Sequence, residues 1–203
     1  MYSNLKQTIA SLANLSVSEE RKEVLNSLVS YIQSKVNSKE EIRLNFICTH
    51  NSRRSHLGQI WAQTMAFHFG VSNVFCYSGG TEETAMFAKV EETLSNQGFT
   101  ILKLSNESNP VYAIKFAENE PALICFSKKY DANFNPKNGF AAIMTCSSAD
   151  EGCPFIFGAE ARIPIRYDDP KAFDGTDLMN AKYEERSLEI ASEMFYVFSQ
   201  IKK

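Results

Sequence analysis

The sequence predicts an α/β protein with a doubly wound parallel sheet, and three observations support that class. From residue 42 onward, short apolar runs alternate with segments whose apolar residues recur at helical spacing. Two cysteines, Cys48 and Cys146, directly follow apolar runs, and parallel sheets bind ligands beyond the carboxyl ends of their strands. The 203 residues are 44% hydrophobic and 22% charged, which suits one ordinary globular core.

Residues 1–40 predict a helical extension in front of that core. Two amphipathic helices are indicated by apolar residues at helical spacing, namely Leu5, Ile9, Leu12 and Leu15 in the first and Val24, Leu25, Leu28, Ile32 and Val36 in the second. Ser16 and Glu19 have the spacing of a capping box at the start of the second helix. We expect this extension to cover the core or to form a dimer contact, without a catalytic role.

Residues 41–203 predict the α/β domain itself. Strands are expected near 42–48, 73–78, 139–146 and 163–166, with a further strand at 122–127 or 100–104. Helices are expected near 55–69, 82–97 and 177–201, and the last has an apolar stripe opposite a charged face. Residues 105–138 indicate an insertion, because two strand-like runs flank the turn-forming segment 117–121 as in a hairpin.

Composition and charge argue against several function classes. The net charge is −3 and the basic residues are scattered, so no nucleic-acid partner is expected. No apolar run approaches the roughly 20 residues that cross a bilayer, so no membrane partner is expected either. An odd number of cysteines and an opening without a secretory signal predict a cytoplasmic protein. The histidines form no cluster typical of a metal site, and we expect His56 and His68 at surface or helix-face positions.

The strongest functional signal is the run Cys48–Ser55, where a predicted strand turns into a predicted helix. A loop of this length can direct its backbone N–H groups at a tetrahedral oxyanion, and the following helix adds its positive N-terminal end. We therefore expect a small oxyanion to be bound by the loop residues Thr49, His50, Asn51, Ser52, Arg53, Arg54 and Ser55. The alternative is a basic surface turn with a buried, inert cysteine.

Particular side chains of this run suit such an anion. Cys48 can attack as a thiolate, a form that a helix N-terminus and nearby guanidinium groups favour. Arg54 offers a planar fork for two oxygens of a phosphate-like ligand. Ser55 can hydrogen-bond the thiolate, and Asn51 is a residue type that tolerates unusual backbone angles and can tie the loop together.

A second pair of cysteines, Cys146 and Cys153, lies seven positions apart in a small, polar stretch that we expect to be mobile. Zinc sites usually have cysteines two to four residues apart, and a static disulfide suits neither the odd count nor a reducing compartment. A redox-active pair is therefore favoured over a metal half-site or two incidental thiols. Cys76 and Cys125 lie in strand-like apolar runs, so we expect both to be buried and inert.

Three segments resemble the low-molecular-weight protein tyrosine phosphatase superfamily. Phe46–Ser55 is similar to its phosphate loop, Tyr77–Thr81 to the segment after its second strand, and Asp168–Pro170 to its acid loop. The resemblance covers roughly residues 42–201, apart from the insertion. It implies a phosphatase-like fold with Cys48 as nucleophile, Arg54 as the anion clamp and Asp169 as the acid.

Within this superfamily, the segment Cys146–Pro154 resembles the redox loop of the thioredoxin-coupled arsenate reductases. That resemblance implies reduction of arsenate to arsenite by a relay of Cys48, Cys146 and Cys153. It also implies external thioredoxin as the reductant and no bound cofactor. His50 stands where the reductases commonly have glycine, and Arg53 where many have cysteine, so the substrate preference is left open.

Two other functions are compatible with these residues. A low-molecular-weight tyrosine phosphatase would use Cys48, Arg54 and Asp169 to hydrolyse a phosphomonoester, and a redox-controlled oxyanion-binding protein would bind without efficient turnover. The phosphatases commonly place tyrosines just after the Asp-Pro pair, where this chain has Lys171–Phe173. That difference weakens the phosphotyrosine hypothesis.

Overall fold

A computed structural model of the chain describes residues 1–153 and 155–203; Pro154, the end of the predicted redox loop, lies outside the described residues. The helices are α1 (Ser3–Leu12), α2 (Glu19–Ser38), α3 (Arg54–His68), α4 (Ala88–Asn96), α5 (Ser147–Gly152) and α6 (Met179–Ser199). The strands are β1 (Ile42–Cys48), β2 (Val74–Gly80), β3 (Thr100–Lys103), β4 (Tyr112–Lys115), β5 (Leu123–Cys125), β6 (Phe140–Met144) and β7 (Ala159–Pro164).

The centre of the molecule is a four-stranded sheet in the order β2-β1-β6-β7, and every neighbouring pair is parallel. A large apolar core lies between one face of this sheet and α2, α3 and α6, with α1 and α4 packed against α6. A smaller apolar cluster lies on the other face beneath α5. Strand β1 contributes to both clusters because alternate side chains of a strand point to opposite faces. The predicted fold class is confirmed.

The register of the sheet decides which loops meet. Cys48 lies opposite Gly80 of β2, and Ile47 lies opposite Met144 of β6. Because the strands are parallel and neighbours are about 4.8 Å apart, the segments that follow β1 and β6 emerge side by side. Cys48 ends β1 and Cys146 follows β6 by two positions, so both cysteines lie at the carboxyl edge of the sheet.

The N-terminal segment forms two helices, as expected, but its capping differs from the prediction. The side chain of Ser18, rather than Ser16, accepts a hydrogen bond from the backbone N–H of Arg21 and caps α2. Leu15 lies beyond the end of α1 and is exposed, whereas Leu5, Ile9 and Leu12 are buried. The apolar spacing predicted the buried face of α1 correctly. The helix ends at Leu12, about one turn before the last residue of the apolar pattern, Leu15.

Strands β3, β4 and β5 form a separate antiparallel sheet. The predicted hairpin is therefore present as β4 and β5. The expectation that 100–104 or 122–127 supplies a strand of the parallel sheet is wrong, because both segments pair with β4 instead. A short-range antiparallel partner was available to each, and the apolar runs by themselves did not distinguish the two kinds of pairing.

Two element boundaries also differ from the sequence pattern. Helix α4 begins at Ala88 rather than near 82, because the preceding segment is bonded to the loop after β1, through Glu82 N–H and Phe87 N–H. Strand β7 begins at Ala159 rather than near 163. Among the helices of the described residues, none combines the length and apolar character that crossing a membrane requires.

Candidate active site

The loop between β1 and α3 is held from outside by hydrogen bonds to its carbonyl groups. The carbonyls of Cys48 and Thr49 accept from the backbone N–H groups of Thr81 and Glu82, at 3.1 and 2.8 Å. Further along the loop, the Ser127 hydroxyl donates to the His50 carbonyl at 2.9 Å, and Phe87 N–H donates to the Ser52 carbonyl at 3.0 Å. We call residues 48–55, held in this way, the phosphate loop.

The N–H groups of the phosphate loop are left available to a ligand. Within the part of the chain that the structure describes, the backbone N–H groups of residues 50–53 donate to no other protein group. Arg53 occupies the N-cap of α3, so the positive end of that helix adds to the same region. The loop therefore has the arrangement that binds a tetrahedral oxyanion.

Cys48 lies at the base of this loop, with only 4% of its surface exposed. Its Sγ is 3.1 Å from the hydroxyl of Ser55, which is the contact that the sequence predicted. Asn51 adopts a left-handed backbone conformation with φ of 44° and donates from Nδ2 to the same hydroxyl at 2.8 Å. Its Oδ1 accepts from the backbone N–H of Lys128 at 2.9 Å. Asn51 therefore ties the loop together, as expected.

Arg54 faces the segment 168–174, which contains the predicted acid Asp169 and which we call the acid loop. Its Nη1 donates to the Tyr167 carbonyl at 2.9 Å, and its Nη2 forms an ion pair with Oδ2 of Asp169. Asp169 in turn caps the short 3₁₀ turn Pro170–Phe173 by accepting from Lys171 N–H at 3.1 Å. The structure thus brings the predicted nucleophile, clamp and acid to one small cavity, which is lined by Cys48, His50, Ser52, Arg53, Arg54 and Asp169.

Two of the residues predicted to bind substrate have side chains with other contacts. The guanidinium of Arg53 donates to the Tyr183 hydroxyl and to the carboxylate of Asp174. His50 is partly exposed, and its Nδ1 lies 3.2 Å from Oε2 of Glu82. Both residues nevertheless line the small cavity, and their role in holding the anion stays a prediction. Both residues still belong to the backbone of the phosphate loop.

Cys146 lies beside the phosphate loop. Its Sγ is 3.5 Å from the hydroxyl oxygen of Thr49, the residue that follows Cys48. Cys48 and Cys146 are both buried in the same apolar cluster, together with Ile47 and Met144. Cys146 is also the N-cap residue of α5, and its sulfur accepts from Ala149 N–H at 3.4 Å. The first two thiols of the predicted relay are therefore neighbours.

Cys153 lies at the other end of α5, where it is partly exposed. The segment expected to be a mobile polar stretch is thus a short helix in this structure. Two arginines fix that helix, since Arg162 and Arg166 both form ion pairs with the buried carboxylate of Asp150. Arg162 also donates from Nε to the Cys153 carbonyl at 3.1 Å.

Sequence reasoning missed a buried polar group beneath the phosphate loop. His56, expected at a helix surface, is fully buried, and its Nδ1 lies 3.2 Å from the hydroxyl of Ser78. Burial, together with the nearby charge of Lys128, lowers the pKa of His56 to about 3. Burial likewise lowers the pKa of Lys128 to about 8. A helical wheel did not separate His56 from surface positions because both sides of α3 are covered.

The remaining cysteines are where the sequence placed them. Cys76 and Cys125 are buried, and burial raises the pKa of both thiols, that of Cys125 to about 12. Neither is therefore suited to act as a thiolate. Residues 1–153 and 155–203 contain no group of three or more His, Cys, Asp and Glu side chains placed to hold a metal ion.

Comparison with known proteins identifies the fold. No family model and no curated protein matches the sequence. Among solved structures, a low-molecular-weight protein tyrosine phosphatase from T. tengcongensis is similar with a TM-score of 0.53 and 13% identity, over 79% of this chain and 100% of that one. A low-molecular-weight phosphotyrosine phosphatase from Vibrio cholerae O395 has a TM-score of 0.51 and 13% identity, over 78% and 94% of the two chains.

An arsenate reductase in a phosphate-binding state is similar to the same degree, with a TM-score of 0.50 and 15% identity over 79% of this chain and 99% of that one. At these identities the likeness concerns the fold, and the two kinds of enzyme share it. The chain therefore has the fold of the low-molecular-weight protein tyrosine phosphatases and of arsenate reductase, as its sequence motifs implied.

Proposed function

We propose that the protein is an arsenate reductase that uses Cys48, Cys146 and Cys153 in succession and thioredoxin as the external reductant. The observation that carries the proposal is the position of Cys146, whose sulfur lies 3.5 Å from the Thr49 hydroxyl at the edge of the phosphate loop. Hydrolysis of a phosphate ester has no use for a second thiol there. Reduction of a bound oxyanion can use one, because two thiols that become a disulfide supply the two electrons that the reduction needs.

The first step forms a bond between sulfur and arsenic. The Cys48 thiolate attacks the arsenic atom of arsenate held by the loop N–H groups and Arg54, and Asp169 protonates the oxygen that leaves as water. The Cys146 thiolate then attacks the Cys48 sulfur. The sulfur–sulfur bond forms as the sulfur–arsenic bond breaks, and its electron pair stays on arsenic, which departs as arsenite.

The second step transfers the disulfide from Cys48 and Cys146 to Cys146 and Cys153. Cys153 attacks Cys146, which releases the Cys48 thiolate and leaves a Cys146–Cys153 disulfide for thioredoxin to reduce. In the structure these two residues cap opposite ends of α5. Cys146 and Cys153 are seven positions apart, and seven helical rises span about 10 Å. A disulfide needs alpha carbons within about 7 Å. Formation of this disulfide therefore requires α5 to unwind.

A second candidate function is phosphomonoester hydrolysis at the same loop. It is favoured by the ion pair between Arg54 and Asp169, because both residues face the small cavity above Cys48 as a clamp and an acid would. The two phosphatases described above have TM-scores of 0.53 and 0.51, and the arsenate reductase has one of 0.50. The two activities therefore have to be separated by measurement.

The decisive experiment follows NADPH consumption by thioredoxin reductase and thioredoxin after arsenate is added to the fully reduced protein. We expect consumption that is abolished in Cys48→Ser, Cys146→Ser and Cys153→Ser. It should persist in Cys76→Ala, a matched control that removes a buried thiol remote from the relay. Starting from reduced protein matters because prior oxidation of Cys146 and Cys153 would mask the activity.

Other outcomes identify the alternatives. Absence of NADPH consumption, together with aryl phosphate hydrolysis that survives Cys153→Ser but not Cys48→Ser, would make the protein a phosphatase. Tight phosphate binding in wild type and Cys48→Ser, with no turnover of either substrate, would leave a binding protein.

A further inference from the structure

Arg53, one of the residues that line the anion cavity, also takes part in a closed set of hydrogen bonds with two residues that do not line it. Its Nε donates to the Tyr183 hydroxyl at 2.5 Å, and its Nη2 donates to Oδ2 of Asp174 at 2.6 Å. The Tyr183 hydroxyl donates to the other carboxylate oxygen of Asp174 at 2.6 Å. Each of the three side chains thus contacts the other two. We call these three residues the Arg53 triangle.

Two members of the Arg53 triangle, Arg53 and Tyr183, are shielded from water, and Asp174 is partly exposed. Arg53 is 8% exposed, and its guanidinium lies over the ring of Phe87 at 4.2 Å from the ring centroid. Phe87 is itself fixed to the phosphate loop, since its N–H donates to the Ser52 carbonyl. Burial and Asp174 raise the pKa of Tyr183, so its hydroxyl remains a donor. Charge-assisted hydrogen bonds in such surroundings are stronger than exposed ones.

Asp174 lies at the far end of the acid loop. Asp169 caps the start of the 3₁₀ turn Pro170–Phe173, and Asp174 follows its end, where its N–H donates to the Lys171 carbonyl at 3.0 Å. The next residue of the phosphate loop, Arg54, forms the ion pair with Asp169. Two consecutive arginines therefore hold the two ends of one short, hydrogen-bonded turn.

We propose that Arg53 is a positioning residue, which fixes the acid loop and hence the Asp169 carboxylate relative to Cys48. The proposal rests on the proposed function in one respect, that Asp169 acts as the acid. Its physical basis is that Arg53 and Cys48 belong to the same rigid loop. The contact between Arg53 and Asp174 therefore fixes the distance from the 3₁₀ turn to the Cys48 sulfur. An acid displaced by about 1 Å can lose two orders of magnitude in rate.

The test compares aryl phosphates that differ in their need for an acid. Phenyl phosphate has a poor leaving group that must be protonated, whereas 2,4-dinitrophenyl phosphate has a leaving group that departs unaided. In Arg53→Gln and in Asp174→Asn we expect kcat/KM, which reports only transfer of the phosphoryl group to Cys48, to fall about tenfold or more for phenyl phosphate and less than about threefold for the dinitrophenyl ester. In Asp174→Asn, inhibition by inorganic phosphate should stay within about twofold of wild type, because Asp174 lies outside the phosphate loop. Asp169→Asn should give the same selective pattern.

Other kinetic results would overturn the proposal. A purely structural role for Arg53 would lower kcat/KM equally for both esters, or would weaken phosphate inhibition in Asp174→Asn. Because Asp174 lies outside the phosphate loop, Asp174→Asn removes the hydrogen bonds of the triangle without changing a residue of that loop. Arg43→Gln, at a partly exposed arginine paired with Glu41, serves as the control and should behave as wild type.

A second measurement separates this proposal from the proposed function. If wild type turns over neither ester nor arsenate, the proposed function fails, and hydrogen exchange of residues 168–176 then decides the positioning role. We expect about tenfold faster amide exchange of this segment in Arg53→Gln and Asp174→Asn, and no change in Arg43→Gln. Exchange that matches wild type in both variants overturns the positioning role, whatever the activity.

Discussion

Arg54 forms an ion pair with Asp169 across the mouth of the small cavity above Cys48. The residue that would clamp an oxyanion is thus held by the residue that would protonate it. A bound anion has to compete with the Asp169 carboxylate for the same guanidinium. The ion pair gives the Arg54 guanidinium a partner where it would otherwise face the cavity alone. Binding of an anion to Arg54 would therefore free the Asp169 carboxylate from that pair.

Neutralising that carboxylate should separate binding from turnover. In Asp169→Asn we expect inorganic phosphate to bind several-fold more tightly, because the competing negative charge is gone, while kcat/KM for phenyl phosphate falls by about 10² to 10⁴ with loss of the predicted acid. Calorimetry gives the affinity and a steady-state assay gives the rate. Asp168→Asn is the matched control, since the neighbouring side chain is 99% exposed. Weaker phosphate binding in Asp169→Asn would contradict the competition.

Gly80 has no room for a side chain beneath the phosphate loop. A Cβ at this position would lie 2.3 Å from the Glu82 carbonyl oxygen, 2.7 Å from the Thr49 carbonyl oxygen and 2.8 Å from Asn51 N. Gly80→Ala should therefore displace the loop, lower phosphate affinity by about tenfold or more and reduce the free energy of unfolding by about 1–3 kcal/mol. Phosphate calorimetry and chemical denaturation measure the two effects.

A matched control is Gly152→Ala, where nothing among the described residues lies within 4 Å of the added Cβ. It should bind phosphate as wild type does. Equal phosphate affinity in Gly80→Ala and wild type would show that the loop tolerates the methyl group, and would contradict the tight packing.

Asp150 should control how readily α5 unwinds. Its carboxylate is paired with Arg162 and Arg166, and hydrogen bonds to charged groups contribute about 1.5–3 kcal/mol each. In Asp150→Asn we expect oxidised glutathione to form the Cys146–Cys153 disulfide about tenfold faster, as followed by alkylation and mass spectrometry. Glu151→Gln, at the exposed neighbouring position of the same helix, should oxidise at the wild-type rate. Equal rates in all three proteins would mean that these ion pairs do not restrain the helix.

His56 should make the stability of the protein sensitive to mild acid. Its pKa is about 3 in the fold and returns to about 6.5 in the unfolded chain, so the unfolded state takes up a proton first as the pH falls. Its contribution is complete above pH 6.5 and is lost progressively between about 6.5 and 3. From pH 7.5 to 5.5 the free energy of unfolding should fall by about 1.4 kcal/mol on account of this residue.

Urea denaturation at both pH values gives the pH-dependent loss in free energy of unfolding for wild type and for His56→Gln. The difference between these two losses is the contribution of His56. His56→Gln keeps a side chain able to hydrogen-bond Ser78 and lacks the titration. The same pH dependence in both proteins would show that His56 is protonated in the fold or solvated.

Local sequence was sufficient for the strand, loop and helix that carry Cys48, because each has a short-range signature. Apolar runs indicated β1 and α3, and the spacing of Cys48 and Arg54 indicated the loop between them. The adjacency of Cys48 and Cys146 was also expected, since both follow strands of one parallel sheet. The antiparallel pairing of β3 with β4 was not expected, because an apolar run does not specify its partner.

By itself, the sequence determined which residues are candidates for the chemistry and that they lie at one edge of an α/β sheet, since strand alternation and loop composition act over a few residues. Only the tertiary structure decided where Arg53 points, that His56 is buried and that α5 separates Cys146 from Cys153. The partners of Arg53 lie 121 and 130 positions further along the chain. Contacts of that range arise from the packing of whole elements, and no local pattern encodes the direction of one guanidinium group.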